Sequence, residues 1–125
     1  MISVVVSDDH PIYRRAVCET LGSSADFVVV GSTATGEESV DMATKLKPQL
    51  VVMDVGLPGI DGMEATRRIL AAVPEVTIVL VSSLESHELP VDAETCGAVA
   101  YIKKECLSPS ALADLYRSQR NSSTD

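Results

Sequence analysis

Tryptophan is absent from this 125-residue chain, and phenylalanine occurs only once. With tyrosine included, aromatics reach 3%, so the core has to be aliphatic, drawn from Val, Ile, Leu and Ala within a 46% apolar composition. Basic residues are also scarce: ten Lys and Arg face eighteen Asp and Glu, for a formal net charge of −8. That balance excludes a free-standing module for nucleic-acid phosphates or anionic lipid, which attract basic patches. It suits a protein that binds cations or basic partner surfaces. The two histidines, His10 and His87, complete no metal-ligand pattern, and His10 reads as structural. Cys18, Cys96 and Cys106 are odd in number, scattered, and form no C-x-x-C pair, which points to reduced thiols rather than a disulfide framework. No apolar run approaches membrane-spanning length, and acidic residues follow the first apolar run at once, so no signal peptide and a cytoplasmic location are expected.

The length is that of one ordinary domain. Five strand-length apolar runs punctuate it: Ile2–Val6, Phe27–Val30, Leu50–Met53, Val76–Val81 and Val99–Ile102. Their Val content favours buried strands. Between them, Pro11–Leu21, Glu37–Leu46 and Met63–Val73 carry apolar residues at helical spacing, closed by Gly22, Pro48 and Pro74. A last helix begins at Pro109, with Ser108 as its cap. The alternation predicts an α/β fold, a doubly wound five-stranded parallel sheet with helices on both faces. Right-handed crossovers favour the flavodoxin-like order 2-1-3-4-5. Pro90 interrupts the fourth helical stretch, between Ser86 and Cys96, because proline has no amide donor and clashes with the preceding turn. The helix there is expected to be short, to start near Pro90, or to be partly disordered. The polar tail Ser118–Asp125 is expected to fray, giving a domain over residues 1–118 and a tail or linker over 119–125.

In such a sheet, ligands bind beyond the carboxyl ends of the strands. Asp8 and Asp9 end the first strand, Asp54 the third and Ser82 the fourth, and Lys104 closely follows the fifth. Clustered carboxylates repel unless a cation joins them, and hard oxygens with open water positions suit Mg²⁺. An Asp carboxylate is a phosphoryl nucleophile, and a Lys amine or Ser hydroxyl can hold phosphoryl oxygens. Taken singly, the same residues have blander roles. Asp8 or Asp9 would cap the helix at Pro11. Asp54 would be a turn residue, Ser82 a strand-end hydroxyl and Tyr101 a half-buried strand aromatic.

Three runs together resemble the receiver domains of two-component response regulators. Asp8-Asp9-His10-Pro11-Ile12-Tyr13-Arg14-Arg15 resembles the first-strand signature of the NarL/FixJ (LuxR-type) group. Met53-Asp54-Val55-Gly56-Leu57-Pro58-Gly59-Ile60-Asp61-Gly62-Met63-Glu64 resembles the phosphoacceptor loop of the whole family. Gly97-Ala98-Val99-Ala100-Tyr101-Ile102-Lys103-Lys104-Glu105 resembles its fifth-strand signature. The resemblance implies that Asp54 accepts a phosphoryl group from a sensor histidine kinase. It implies Mg²⁺ held by Asp9 and Asp54 directly, by Asp8 through water, and by the Gly56 carbonyl. Ser82 would turn toward the phosphoryl group, and Tyr101 would be the aromatic switch that packs inward after phosphorylation. Lys104 stands three residues after Tyr101, the family spacing. Lys103 would point to the other strand face and reads as an exposed neighbour.

Some positions depart from the pattern. Ser83 replaces a smaller residue and would narrow the path to Asp54, and Glu105 stands where proline is usual. Gly56 and Leu84 offer no side chain to orient an attacking water, so a long-lived phosphorylated state is expected. The implied protein is a phosphoacceptor switch rather than an enzyme. It would dimerise on phosphorylation, make no direct nucleic-acid or membrane contact, and serve a parent with a helix-turn-helix output domain that controls transcription. Two rivals have less support. A haloacid-dehalogenase-type phosphatase needs a second Asp where Gly56 stands. A phosphorylation-independent interaction module would not need the full set of rim residues.

Overall fold

A computed structural model describes residues 1–122. Five strands, β1 (Ile2–Ser7), β2 (Phe27–Thr33), β3 (Leu50–Asp54), β4 (Thr77–Ser82) and β5 (Ala100–Lys103), form one sheet in the order β2-β1-β3-β4-β5. Every neighbouring pair is parallel, as the βα alternation requires. The helices are α1 (Pro11–Gly22), α2 (Gly36–Leu46), α3 (Gly62–Ala72) and α4 (Pro109–Ser122).

Both faces of the sheet are covered, and the strand period of two divides the core between them. Val4, Val6, Leu50, Val52, Val79 and Val81 pack with Val17 and Leu21 of α1 and Leu112 and Tyr116 of α4. The alternate residues Val5, Val51, Met53, Ile78 and Leu80 pack with Ala43 of α2 and with Met63, Ala65 and Ile69 of α3. Phe27, the single phenylalanine, is fully buried on the α1/α4 side.

Local signals set the helix ends. The Thr35 hydroxyl accepts from Glu38 N at 3.1 Å to open α2, and the Asp61 carboxylate accepts from Glu64 N at 2.9 Å to open α3. Lys47, in the left-handed region at φ 48°, closes α2 just before Pro48. Ser108 caps α4 as expected, its hydroxyl accepting from Ala111 N at 3.1 Å.

Two expectations need correction. The fourth crossover contains no α-helix; it makes two 3₁₀ turns, Ser86–Glu88 and Val91–Ala93. Pro90 sits between them as an extended cap residue, since without an N–H it cannot continue the first turn. Arg67 of α3 ties the second turn down through Asp92 at 3.2 Å. The tail is also more ordered than expected, because α4 continues through Ser122; residues 123–125 of the expected frayed tail lie outside the described residues. None of the described helices is long and apolar enough to cross a membrane.

Gly62 lets α3 start directly against the end of β3. A Cβ there would meet the Asp54 carbonyl oxygen at 2.2 Å, and the Gly62 N–H donates to the Val55 carbonyl at 3.0 Å. Because that neighbour is backbone, Gly62→Ala should lose roughly 2–3 kcal/mol in urea unfolding. Gly22→Ala, whose Cβ would touch nothing within 4 Å, should stay within ~1 kcal/mol of wild type.

Candidate functional site at the carboxyl rim

The strand register brings the sequence-selected residues together. Ser7 pairs with Met53, Asp54 with Val81, and Ser82 with Lys103. Asp8, Asp54, Ser82 and the start of the turn at Lys104 therefore lie along one edge of the sheet. Asp8 is 1% exposed and Asp54 4%, while Asp9 remains about a third exposed.

The Asp8 carboxylate uses Oδ1 to accept from His10 N at 2.8 Å. Its Oδ2 is buried without a sound hydrogen bond and meets the Lys104 ammonium as an ion pair at 2.7 Å. Asp9 Oδ1 is likewise buried without a hydrogen bond. Lys104 Nζ also lies 3.5 Å from Asp54 Oδ2, and Gly56 N donates to Asp54 Oδ1 at 3.2 Å. Burial first and the Asp8 charge second push the Asp54 carboxyl above the usual carboxylate range, against the opposing pull of the Gly56 N–H and Lys104. Neither Asp8 nor Asp9 caps α1: its cap residue is His10, which makes no side-chain cap bond. With capping set aside, the Asp side chains are free to face the rim.

Helix α1 holds the site in place. Arg14 Nη1 donates to the Asp8 carbonyl at 2.7 Å, and the Tyr13 hydroxyl donates to the Lys104 carbonyl at 3.1 Å. The Lys104 ammonium lies 4.6 Å from the centre of the Tyr13 ring, a cation–π contact. Burial, then the Asp8 and Asp54 charges, push the Tyr13 phenol up to about 12. Sequence reasoning missed this role for Tyr13; its signal is one helical turn of separation from the Asp pair. Beneath the rim, the Thr33 hydroxyl bonds the Ser7 and Ser39 hydroxyls at 2.9 and 2.7 Å, and the Thr33 carbonyl accepts from Asp8 N at 3.0 Å.

Ser82 is buried, and its hydroxyl accepts from Leu84 N at 3.1 Å. The half-buried Tyr101 donates its hydroxyl to the Ser82 carbonyl at 3.0 Å and also bonds the Leu84 carbonyl, so it latches the loop after β4. Ser83 is exposed at the mouth, lining a groove with His10, Ile12, Tyr13 and Lys104. The two lysines separate as strand parity requires. Lys104 turns to Asp8 and α1, and Lys103 turns away. Lys103 is nevertheless not the simple exposed neighbour expected: it is half-buried and paired with Glu85 and, at 2.7 Å, with Glu105. His10, read as structural, sits inside the acidic cluster, its Nδ1 3.2 Å from Asp8 Oδ1 and 3.2 Å from Asp9 Oδ1. No sequence pattern marks it, because its relevance depends on where the ring points.

Residues 4–117 match the sequence model of the response regulator receiver domain. This chain belongs to the response regulator receiver family. It is 40% identical over 104 residues to the response regulator GacA of Pseudomonas viridiflava, covering 83% of this chain and 49% of that protein. The receiver thus spans about half the length of that curated relative. Among solved structures, it resembles the response regulator domain of Thermotoga maritima CheB, at a TM-score of 0.83 and 29% identity, with 94% and 95% of the two chains covered. It also resembles a LuxR-family two-component response regulator from Aurantimonas sp. SI85-9A1, at a TM-score of 0.81 and 28% identity, with 91% and 81% covered. The chain is therefore a receiver domain of two-component signalling, with the flavodoxin-like fold expected of it.

The rim charges predict opposite effects of two substitutions in metal-free protein. Lys104→Met leaves Asp8 and Asp54 without their ammonium and should lose roughly 3 kcal/mol in urea unfolding with chelator present. Asp54→Asn removes a carboxylate whose native pKa is raised and should stabilise the protein. A raised value means the native state holds the proton more tightly than the unfolded chain does. Wild-type stability should therefore fall as pH climbs from the unfolded carboxylate value, about 3.9, through the raised native one. Asp54→Asn should flatten that fall, as read from unfolding midpoints across acidic pH.

Proposed function

We propose that this receiver takes a phosphoryl group from the phosphohistidine of a sensor histidine kinase onto Asp54, in the cytoplasm. The P–N bond of the donor breaks and a P–O bond to an Asp54 carboxylate oxygen forms. The observation that carries the reading is the buried Asp54 carboxylate, flanked by Asp8 and by the Lys104 ammonium at 3.5 Å, at the open end of the sheet.

The rim residues fit Mg²⁺. Asp8 Oδ2 and Asp9 Oδ1 are hard oxygen donors, buried without hydrogen bonds, and Gly56 has open space where a side chain would stand. Asp9, Asp54 and the Gly56 carbonyl would hold the ion directly, and Asp8 would hold it through water. When bound, the ion neutralises the carboxylates and the incoming phosphoryl oxygens during in-line transfer. Lys104 exchanges its carboxylate partner for a phosphoryl oxygen. Ser82, whose hydroxyl accepts from Leu84 N, would donate its O–H to a second oxygen, and a rotation that broke the Leu84 bond would loosen the loop Tyr101 latches. Phosphorylation thereby biases a two-state equilibrium of this loop, as a switch rather than an enzyme. Gly56 and Leu84 bring no polar side chain to activate water, so the phosphorylated state is long-lived. The parent protein would dimerise on phosphorylation and control transcription through a DNA-binding output domain; the likeness to the response regulator GacA and to a LuxR-family response regulator supports a response-regulator parent.

Incubation with Mg²⁺ and acetyl phosphate, followed by intact mass, should give one phosphoryl adduct on wild type. Asp54→Asn or added chelator should give none, and the adduct should persist after the donor is removed. A wild-type chain that stays folded and unmodified with both acetyl phosphate and a phosphorylated kinase would sink the reading in favour of a phosphorylation-independent module.

A further inference from the structure

Phosphotransfer as described makes no use of the His10 imidazole. Its Nδ1 stands 3.2 Å from Asp8 Oδ1 and 3.2 Å from Asp9 Oδ1. Two atoms bound at right angles to one metal, with bonds of about 2.0–2.2 Å, stand about 3 Å apart. The 3.2 Å between Nδ1 and Asp9 Oδ1, a direct ligand in the reading above, is thus that of neighbouring positions on a single ion. One donor atom each from Asp8, Asp9, His10 and Asp54 lies within 4.8 Å of all the others, which also leaves room for an opposed pair across the ion. The second observation is independent of the ring. Asp8 is 1% exposed, and its Oδ2 is buried without a hydrogen bond, with the Lys104 ammonium at 2.7 Å as its ion-pair partner. The His10 side chain itself is 68% exposed, so the ring can adjust over the rim without unpacking the core. In the metal-free protein Nδ1 also lies 3.4 Å from the Lys104 ammonium, so a cation bound to the ring would compete with that contact.

An imidazole changes which ions a carboxylate site favours. Mg²⁺ seeks oxygen ligands and keeps several waters, whereas imidazole nitrogen suits borderline first-row ions such as Ni²⁺ and Zn²⁺. We propose that His10 Nδ1 is a metal ligand, and that the rim is a mixed nitrogen–oxygen site whose preference for a transition-metal dication over Mg²⁺ depends on this ring. The proposal rests on the reading of the rim as a cation site, and its test separates the two.

Isothermal titration of the full chain with Ni²⁺ and with Mg²⁺, singly and in competition, tests it directly. On wild type, Ni²⁺ should bind one-to-one, displace Mg²⁺, and bind roughly tenfold or more tightly. His10→Gln should weaken Ni²⁺ by about tenfold or more and weaken Mg²⁺ far less. His87→Gln, in the exposed 3₁₀ turn, should change neither. Spin-echo EPR of bound Mn²⁺ should show nitrogen coupling in wild type and none in His10→Gln. If His10→Gln leaves Ni²⁺ affinity intact while Mg²⁺ still binds, the ligand role is overturned and the cation site survives. A parallel fall in Mg²⁺ and Ni²⁺ affinity overturns the preference. Binding of neither ion overturns both readings.

Discussion

An excess of negative charge held at the buried end of a parallel sheet organises this receiver. Asp8 and Asp54 are almost wholly removed from water and lie side by side because β1 and β3 are neighbours in register. Lys104 reaches both, at 2.7 and 3.5 Å, yet one ammonium does not balance three carboxylates. Burial and mutual repulsion raise Asp54 even with Lys104 beside it. Such a rim is poised for added positive charge, and its geometry is kept by bonds that do not involve the carboxylates themselves. Arg14 holds the Asp8 carbonyl, Tyr13 holds the Lys104 carbonyl, and the Thr33 carbonyl holds the Asp8 amide.

The same sheet gives the site a rigid side and an adaptable side. Toward β1 and β3, the rim stands on two fully covered core faces and on the Gly62 approach of α3 to Asp54. Toward β4 and β5, the crossover is reduced to two 3₁₀ turns, held in the core by Ala93 and Cys96 and fastened outside it by a few polar links: Tyr101 to Ser82 and Leu84, Lys103 to Glu85, and Arg67 to Asp92. Exposed ion pairs of this kind contribute at most about 1 kcal/mol each. Residues 83–88 are exposed, so a change at Ser82 meets little resistance from packing in that loop, which is the physical condition for a local two-state element.

Much of this architecture was legible in the residues. Alternating apolar runs and helical stretches marked a parallel sheet, because a strand buried on both faces must be apolar throughout while its covering helices need an apolar stripe. Strand-end positions of Asp8, Asp54 and Ser82 marked the rim, because the carboxyl edge of such a sheet is where side chains of different strands meet. Pro90 marked a broken fourth helix but not its replacement, since removing one donor forbids a helix without choosing between a shorter helix and separate turns. Ser118 to Ser122 read as a polar tail because propensity cannot show that an amphipathic helix already anchored by Leu112 and Tyr116 will continue outward.

Chain order and residue type by themselves determined the strand-helix alternation, the identity of the acidic rim, and, by strand parity, that Lys103 and Lys104 part; the receiver-family spacing then chose Lys104. Tertiary structure alone decided what those groups face. Lys103 became a loop tie through Glu85, Tyr13 became the platform under Lys104, and His10 turned its Nδ1 toward two carboxylates. Each of these depends on a side-chain direction or on a contact across 18 to 91 positions in sequence, or on the local path of the chain after β1. Periodicity reports which face of an element is buried, and it carries no information about which polar groups meet at the edge.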